Sequence, residues 1–199
     1  MSVERYMSKD VISIGLKSSI QDAISLMREH SIRHLPVVEN GMFVGLVTQS
    51  DLRGVIIPSL YGEIDIKDVM VADPITVTSN ASIEKAATLI YKNKIGALPV
   101  IDNRLLVGII TVTDILAAFI EMMGVLKTSA RLDIILRDSP DSFEDVIRII
   151  KQDGGEIISV GIAGGQDDRT YSFRLTKKNI GQMIKHLKQS GHEVVSSYT

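Results

Sequence analysis

A threonine followed three residues later by an aspartate occurs twice in the chain, each time after a glycine and two apolar residues. The first copy lies in GLVTQSDL (45–52) and the second in GIITVTDI (108–115). Each pattern is typical of a strand that turns into a helix, which places Asp51 and Asp114 at helix N-termini. A carboxylate held there stays ionised and can accept hydrogen bonds from two vicinal ribose hydroxyls. Neighbouring hydroxyls and free helix N–H groups suit a phosphate.

A purely structural explanation exists for the same residues. Ser or Thr with Asp at the start of a helix is often only a cap, and Thr48 and Thr111 can be ordinary strand residues. Gly45 and Gly108 also admit two explanations, because a glycine permits either close packing of the strand or close approach of a ligand. The recurrence of the whole corner favours a paired site.

Both corners belong to an internal repeat with an offset of 63 residues. Placing Met7 on Met70 aligns residues 7–53 with 70–116 without a gap, and about a third of the positions are identical. Two copies are too few for a solenoid, which needs at least three. The repeat therefore predicts two copies that close on each other around a pseudo-two-fold axis.

Each copy is predicted to fold as β-α-β-β-α. A short extended piece precedes a helix, and two strands joined by a tight turn lead into the helix that carries the aspartate. In the first copy the apolar spacing from Ile20 to Met27 is helical, and Ser18 with Gln21 matches a capping box. We expect the two repeats to occupy residues 1–62 and 63–124.

Residues 130–199 follow a different pattern, which predicts a β-α-β-β-α-β unit of the ferredoxin-like arrangement. Asp141 is expected to begin its first helix, Gly154 and Gly155 to end it, and Asn179 to cap the second. The fold class is therefore mixed α/β (α+β), with two pseudo-symmetric repeats and a third unit.

Composition excludes several classes of function. The net charge is −2 without a basic stripe, which argues against a nucleic-acid partner. The chain has no cysteine, so disulfides and thiolate chemistry are absent. The N-terminal residues lack an apolar signal core, and no stretch approaches the roughly 18 apolar residues of a membrane span. We expect a cytoplasmic protein without a membrane partner.

The sequence shows no catalytic or metal-binding constellation. The Asp167–Asp168 pair lies in a predicted hairpin turn, where solvated carboxylates are the default. His186 and His192 flank the end of the last helix, where complementation of the helix dipole is the expected role. No metal-ligand spacing connects the four histidines, which are His30, His34, His186 and His192.

IRHLPVVENGMFVGLVTQSDL (32–52) and IGALPVIDNRLLVGIITVTDI (95–115) resemble CBS (cystathionine-β-synthase) domains. The resemblance covers about residues 3–123. It implies a CBS pair, or Bateman module, that binds an adenosyl ligand such as AMP, ADP, ATP or S-adenosylmethionine in two clefts between its copies. By this resemblance Asp51 and Asp114 hold ribose, and the hydroxyls near ribose or phosphate are those of Thr48, Ser50, Thr111 and Thr113.

The two copies differ just before the Leu-Pro pair, where CBS domains often carry phosphate-binding basic residues. The first copy has Arg33 and His34, and the second has Gly96 and Ala97. Arg33 can also be a solvated charge, and His34 can be an ordinary packed or exposed residue.

This difference predicts two unequal clefts. The Asp51 cleft is expected to prefer phosphorylated adenosines, and the Asp114 cleft to bind more weakly or to take a less negative ligand. Segments of the opposite repeat complete the clefts: Ile75, Thr76 and Thr78 at Asp51, and Val11, Ile12 and Ser13 at Asp114.

The segment LDIILRDSPDSFEDVIRIIKQDGGEIISV (132–160) resembles ACT domains, which are regulatory and often respond to amino acids. ACT domains that bind amino acids usually carry Pro-Gly at the turn into the first helix. Here Asp141 follows Pro140, and its carboxylate would repel the carboxylate of an amino acid. This departure favours a structural role in dimerisation over amino-acid binding.

Three functions are consistent with these features. The first is a non-catalytic sensor in which an adenosyl ligand shifts the arrangement of a homodimer and the ACT-like unit transmits the change. The second is an interaction subunit of a metabolic enzyme or transporter with little ligand binding of its own. The third, an enzyme that uses the clefts for turnover, has the least support. No additional cofactor is expected.

Overall fold

The computed structural model describes residues 1–53, 64–165, 169–176 and 180–198. The chain divides into two compact units, Met1–Ala118 and Phe119–Thr199, called here unit 1 and unit 2. Three sequence predictions lie outside the described residues: the repeat boundary at 62 and 63, the Asp167–Asp168 turn and the Asn179 cap.

Unit 1 contains the two copies of the repeat, each with the predicted α-β-β-α order, but the extended pieces expected as leading strands form only isolated bridges, Ile14 with Val37 and Val77 with Val100. The first copy comprises α1 (Ile20–Glu29), β1 (His34–Glu39), β2 (Met42–Thr48) and α2 (Gln49–Arg53). The second comprises α3 (Ile83–Asn93), β4 (Ala97–Asp102), β5 (Leu105–Thr111) and α4 (Val112–Met122), whose last residues belong to unit 2.

The start of α1 corrects one sequence prediction. The capping box is formed by Ser19 and Asp22, not by Ser18 and Gln21. The Ser19 hydroxyl accepts a hydrogen bond from the Asp22 N–H over 3.1 Å, and the Asp22 carboxylate accepts one from the Ser19 N–H over 2.9 Å. The box lies one residue later because Ile20, which is fully buried, is the first residue of the helix.

Each copy contains a β-hairpin with a two-residue turn. Asn40 and Gly41 connect β1 to β2 at φ 50° and 79°, and Asn103 and Arg104 connect β4 to β5 at φ 50° and 70°. Two consecutive positive φ angles are typical of type I′ turns, whose twist matches that of the flanking strands. The turn after β1, together with a β-bulge at Val37 and Val38, sets the register that pairs Thr48 at the end of β2 with His34.

The segment that precedes each copy of the repeat pairs with a strand of the other copy. β3 (Val71–Ala72), which precedes the second copy, pairs antiparallel with β2 of the first. Ser8, which precedes the first copy, forms the equivalent bridge with Ile109 of the second. The two copies therefore interlock, and each corner lies beside chain that comes from the other half of the repeat.

Unit 2 contains the predicted β-α-β-β-α-β order. Its elements are β6 (Ser129–Ile135), α5 (Ser142–Gln152), β7 (Ile157–Ala163), β8 (Thr170–Thr176), α6 (Ile180–Gln189) and β9 (Glu193–Tyr198). The sheet has the order β7-β8-β6-β9, and every neighbouring pair is antiparallel. α5 and α6 bury their apolar residues, among them Val146 and Leu187, in one core with Leu132 and Phe173.

The ends of α5 partly agree with the sequence prediction. Gly154, at φ 77°, follows the helix as the predicted C-terminal glycine. Asp141 is the N-cap residue, but its side chain makes no capping hydrogen bond. The Ser142 hydroxyl instead lies 2.6 Å from the carbonyl oxygens of both Arg137 and Ser139, which share its one hydrogen as acceptors. The turn that leads into α5 is therefore held by the side chain of Ser142.

A buried carboxylate ties three strands of unit 2 together. Asp133 on β6 is 6% exposed and accepts hydrogen bonds from Arg131 Nε over 2.8 Å, from Ser172 Oγ over 2.6 Å and from Ser196 Oγ. Burial raises the pKa of Asp133, but these hydrogen bonds and the Arg131 charge outweigh it and hold the pKa below 3.8.

Candidate functional site

The Asp51 corner is held by a reciprocal set of hydrogen bonds. Asp51 Oδ2 accepts from the Thr48 N–H over 2.8 Å and from the Thr48 hydroxyl over 2.7 Å. The Asp51 N–H returns a bond of 3.3 Å to Thr48 Oγ1. Within the described residues Asp51 Oδ1 accepts no hydrogen bond, so one carboxylate oxygen orients the group and the other remains available.

The Asp114 corner repeats this geometry. Asp114 Oδ2 accepts from the Thr111 N–H over 2.8 Å and from its hydroxyl over 2.7 Å, and the Asp114 N–H lies 3.4 Å from Thr111 Oγ1. Asp114 Oδ1 likewise accepts no hydrogen bond from the part of the chain that the structure describes. Both corners are therefore helix caps, and capping leaves one oxygen of each carboxylate for another partner.

The two glycines serve packing. A Cβ on Gly45 would lie 2.7 Å from Met70 Sδ and 2.9 Å from the Val71 carbonyl oxygen. A Cβ on Gly108 would lie 2.5 Å from Met7 Sδ and 3.1 Å from the Ser8 carbonyl oxygen. Of the two explanations for these glycines, close approach of the exchanged segments is the one observed.

The Asp51 corner opens onto a cleft of about 660 Å³, called here the first cleft. This volume lies within the range of roughly 300–1,000 Å³ that is usual for small-molecule sites. Six of the residues expected there line it, namely Arg33, His34, Thr48, Ser50, Asp51 and Ile75. Thr76 instead lines a neighbouring hollow, and the Thr78 hydroxyl donates to Asn80 Oδ1 over 2.7 Å.

The Asp114 corner adjoins a smaller hollow of about 320 Å³, called here the second cleft. Of the residues expected there, Thr111, Thr113, Val11 and Ile12 line it. Asp114 and Ser13 are not among its lining residues. Arg33 and His34, which were expected in the first cleft alone, line both.

The first cleft carries more positive charge than the second. Arg33, Arg53 and Lys94 line it together with Asp51 and Asp73. All three cations are exposed, and none forms an ion pair within the described ranges. In the second cleft the charged lining residues are Arg33 and Asp10. An anionic group is therefore better accommodated in the first cleft.

Lys94 is a lining residue that sequence reasoning missed. It is the C-cap of α3, in the left-handed conformation at φ 54°, and occupies the repeat position of Ser31, which has the same φ and lines the second cleft. Comparing Ser31 with Lys94 in the aligned repeats would have revealed the charge difference. The direction of the side chain depends on the left-handed cap.

His34 lies against Gly96. A Cβ on Gly96 would be 2.9 Å from His34 Nε2 and 3.0 Å from Cε1, so a glycine is needed where the ring sits. Burial lowers the pKa of His34, the Arg33 charge lowers it further, and the Asp51 carboxylate opposes both. His34 therefore packs against Gly96 and also lines both clefts. The sequence left open whether it is an ordinary packed residue or lines a site, and its position is consistent with both.

The histidines of unit 2 lie beside carboxylates, contacts that the sequence did not reveal, and His186 is in the last turn of α6 as expected. His186 Nδ1 lies 2.9 Å from Asp153 Oδ2. His192 is buried, accepts the Arg137 N–H at Nδ1 over 3.3 Å and faces Asp145 Oδ2 across 3.2 Å with Nε2. These contacts bring together residues 33 to 55 positions apart, which helical periodicity does not reveal.

The geometry of unit 1, with two interlocked copies and a carboxylate corner in each, defines a tandem CBS pair. CBS domains match residues 3–58 and 66–121. The chain therefore belongs to the CBS-domain family.

Two kinds of feature were not found in the part of the chain that the structure describes. Every helix there is too short or too polar to span a bilayer. No three or more His, Asp or Glu side chains come together there in a group that could hold a metal ion.

Two relatives illustrate how far the likeness extends. The CBS domain-containing protein YhcV of Bacillus subtilis is 31% identical over 115 residues, which are 57% of this chain and 82% of that protein. The inosine-5'-monophosphate dehydrogenase of Korarchaeum cryptofilum is 34% identical over 113 residues, 56% of this chain. The chain spans only 23% of the length of that enzyme.

Three solved structures share the fold. The acetoin utilization protein AcuB of Vibrio cholerae has a TM-score of 0.58 at 32% identity, over 64% of this chain and 96% of that one. The CBS domain pair of protein MJ0100, in complex with 5'-methylthioadenosine and S-adenosyl-L-methionine, has a TM-score of 0.55 at 30% identity. The match covers 60% of this chain and 99% of that one. CBSX2, in complex with AMP, has a TM-score of 0.55 at 27% identity, over 60% and 96%.

Proposed function

We propose that this protein is a non-catalytic regulator whose CBS pair binds an adenosine-containing ligand, with a phosphorylated ligand preferred in the first cleft. The observation that carries the proposal is Asp51, oriented by Thr48 and left with one available oxygen beside a cleft that holds three unpaired cations within the described residues. The complexes of CBSX2 with AMP and of the MJ0100 pair with S-adenosyl-L-methionine support the ligand class.

Each part of such a ligand has a counterpart in the first cleft. Asp51 Oδ1 would accept hydrogen bonds from the ribose hydroxyls, which are strong because the acceptor is charged. The exposed side chain of Ile75 offers apolar surface to the adenine. Arg33 and Lys94 would bind the phosphate, with Ser50 as a hydroxyl donor. Thr48 positions Asp51, because its hydroxyl already donates to the carboxylate.

The second cleft is proposed to take a smaller or less negative adenosyl ligand, with Asp114 on the ribose and Val11 and Ile12 beside the base. Its smaller volume supports this difference, as does its lining, to which the described part of the chain contributes one lysine or arginine side chain. S-adenosylmethionine, whose sulfonium is positive, and an uncharged nucleoside are the chemical types that match.

We further propose that unit 2 is an ACT-like domain that holds a homodimer together and transmits the ligand-induced change. The β-α-β-β-α-β connectivity within one antiparallel sheet of order β7-β8-β6-β9 supports this proposal, since it is the connectivity of a ferredoxin-like unit. The exposed, non-capping Asp141 supports a structural role rather than amino-acid binding. Cytoplasmic location and the absence of a reaction remain parts of the same proposal.

Calorimetric titration of AMP into the full chain tests this function. We expect saturable binding without product, a loss of at least about tenfold in affinity for Asp51→Ala, as expected for hydrogen bonds to a charged group, and a smaller loss for Asp114→Ala. Equal losses would contradict the asymmetry. If no adenosyl compound binds and one protein partner co-purifies stably, the sensor role is wrong and the interaction-subunit role takes its place.

A further inference from the structure

One wall is common to both clefts of unit 1. Arg33, His34 and Gly96 line the first cleft and also the second. Arg33 and Gly96 are equivalent positions of the repeat, so the wall lies where the two copies meet. It is asymmetric, because one copy supplies a guanidinium and an imidazole at the positions where the other supplies Gly96 and Ala97.

Arg33 supplies a different share of the positive charge in each of the two clefts. In the first cleft it acts with Arg53 and Lys94, whereas in the second it is the only lysine or arginine side chain that the described residues contribute to the lining. A phosphate in the second cleft therefore depends on Arg33. A phosphate in the first cleft would also recruit it, since a guanidinium binds phosphate best through a fork of two parallel hydrogen bonds. A side chain that turns this fork towards one cleft presents it less well to the other.

Among the described residues, no other lysine or arginine lies on this wall to replace Arg33 when it turns towards one cleft. The remaining members of the wall are Gly96 and His34, whose ring packs so closely that a Cβ on Gly96 would come within 3.0 Å of it. Two phosphate groups on opposite sides of this wall would also repel each other.

From this geometry we infer that the two clefts compete for Arg33, so that a phosphorylated ligand in the first cleft lowers the affinity of the second cleft for another phosphorylated ligand. This inference rests on the proposed function. An uncharged nucleoside does not need Arg33, so its binding in the second cleft is independent of the first. Because coupling between sites is reciprocal, the penalty is the same whichever cleft fills first.

Calorimetry with AMP and with adenosine separates these cases. The wild-type chain should bind one AMP tightly and a second weakly. In Asp51→Ala, which disables the first cleft, the second cleft should bind AMP at least about tenfold more tightly than that weak site, which corresponds to a coupling of about 1.4 kcal/mol. One equivalent of AMP, which fills only the tight site, should change the affinity of the second cleft for adenosine less than twofold. Asp114→Ala, titrated in parallel, should retain the tight AMP site and lose the weak one.

Arg33→Gln provides the decisive variant, with Lys92→Gln as the control because Lys92 is an exposed residue of α3 outside both linings. Arg33→Gln removes the shared side chain and should weaken AMP binding in the second cleft. In that background Asp51→Ala should change the weak AMP affinity less than threefold, while Lys92→Gln should keep the gain that Asp51→Ala produces. A weak AMP affinity that is the same in the wild type and in Asp51→Ala, or a gain that persists undiminished in Arg33→Gln, would overturn the competition and leave the proposed function intact. Failure of AMP and adenosine alike to bind would overturn the proposed function itself.

Discussion

The Thr48 hydroxyl donates a hydrogen bond of 2.7 Å to Asp51 Oδ2 and accepts one from the Asp51 N–H. The pair is a helix cap and at the same time a device that fixes the direction of a carboxylate. The cap uses Asp51 Oδ2 as its hydrogen-bond acceptor, and a ligand would bind to Asp51 Oδ1. A cap and a binding site are therefore compatible at this corner.

Thr48→Val keeps the shape of the side chain and removes this hydroxyl. We expect a loss of about 1 kcal/mol in the free energy of unfolding, as for other N-cap replacements, and a weaker AMP affinity because Asp51 is less well oriented. Denaturant unfolding and calorimetry measure the two effects. Thr111→Val is the matched control: it should lower stability equally and leave tight AMP binding unchanged. An equal loss of AMP affinity in both variants would contradict the assignment.

Lys94→Ala tests the charge of the first cleft. Because Lys94 is exposed, its contribution to phosphate binding should be modest, with a decrease of about two- to fivefold in AMP affinity. Adenosine affinity should not change, since adenosine has no phosphate. Lys92→Ala on the same helix serves as the control. A parallel decrease for AMP and adenosine would show that Lys94 acts through the shape of the cleft.

Gly45→Ala tests the packing of the exchanged segments. The new methyl group would approach the Val71 carbonyl oxygen to 2.9 Å, and this backbone atom cannot move without shifting β3. We expect a decrease of about 1–3 kcal/mol in the free energy of unfolding, as for other overpacked sites. Gly181→Ala, where a Cβ meets no atom within 4 Å, should cost nothing. Urea unfolding compares the two, and equal stabilities would refute the packing role.

His34 makes stability depend on pH. Burial, followed by the Arg33 charge, lowers the pKa of His34 in the folded chain from 6.5, so the folded state binds fewer protons there than the unfolded state. The neutral ring therefore contributes full stability above pH 6.5, and this contribution is lost as the pH falls towards and through the lowered pKa. Unfolding of His34→Gln should vary less with pH below 6.5. His30→Gln, which alters an exposed residue, should follow the wild type. An unchanged pH dependence in His34→Gln would contradict this role.

Asp133→Asn tests the buried carboxylate of unit 2. The amide cannot accept all three hydrogen bonds with the same strength, and Arg131 loses its opposite charge, so we expect a loss of about 1–3 kcal/mol in stability at pH 7. Since the hydrogen bonds hold the pKa of Asp133 below 3.8 against the effect of burial, its contribution is lost only as the pH falls through that lowered pKa. The variant should therefore respond less to strong acid. Asp138→Asn, at an exposed position, should match the wild type in urea unfolding at pH 7 and pH 3.

The repeat, the hairpins and the two aspartate corners were predictable because each depends on residues close together in the chain. A strand that ends in Thr-x-x-Asp forms its own cap, and an Asn-Gly turn sets the register of its own hairpin. The prediction for α1 was wrong by one residue, since Ser18 and Ser19 are both acceptable N-cap residues and the structure joins Ser19 to Asp22 by reciprocal hydrogen bonds.

Contacts across the fold decided the rest. The exchange of the leading segments, the presence of Arg33 and His34 in both clefts and the pairing of His192 with Asp145 all join residues far apart in the sequence. Lys94 lines the first cleft, and its left-handed backbone conformation at the end of α3 sets the direction of its side chain. Local spacing specifies which helices and strands form, but packing of distant elements specifies which side chains share a cavity.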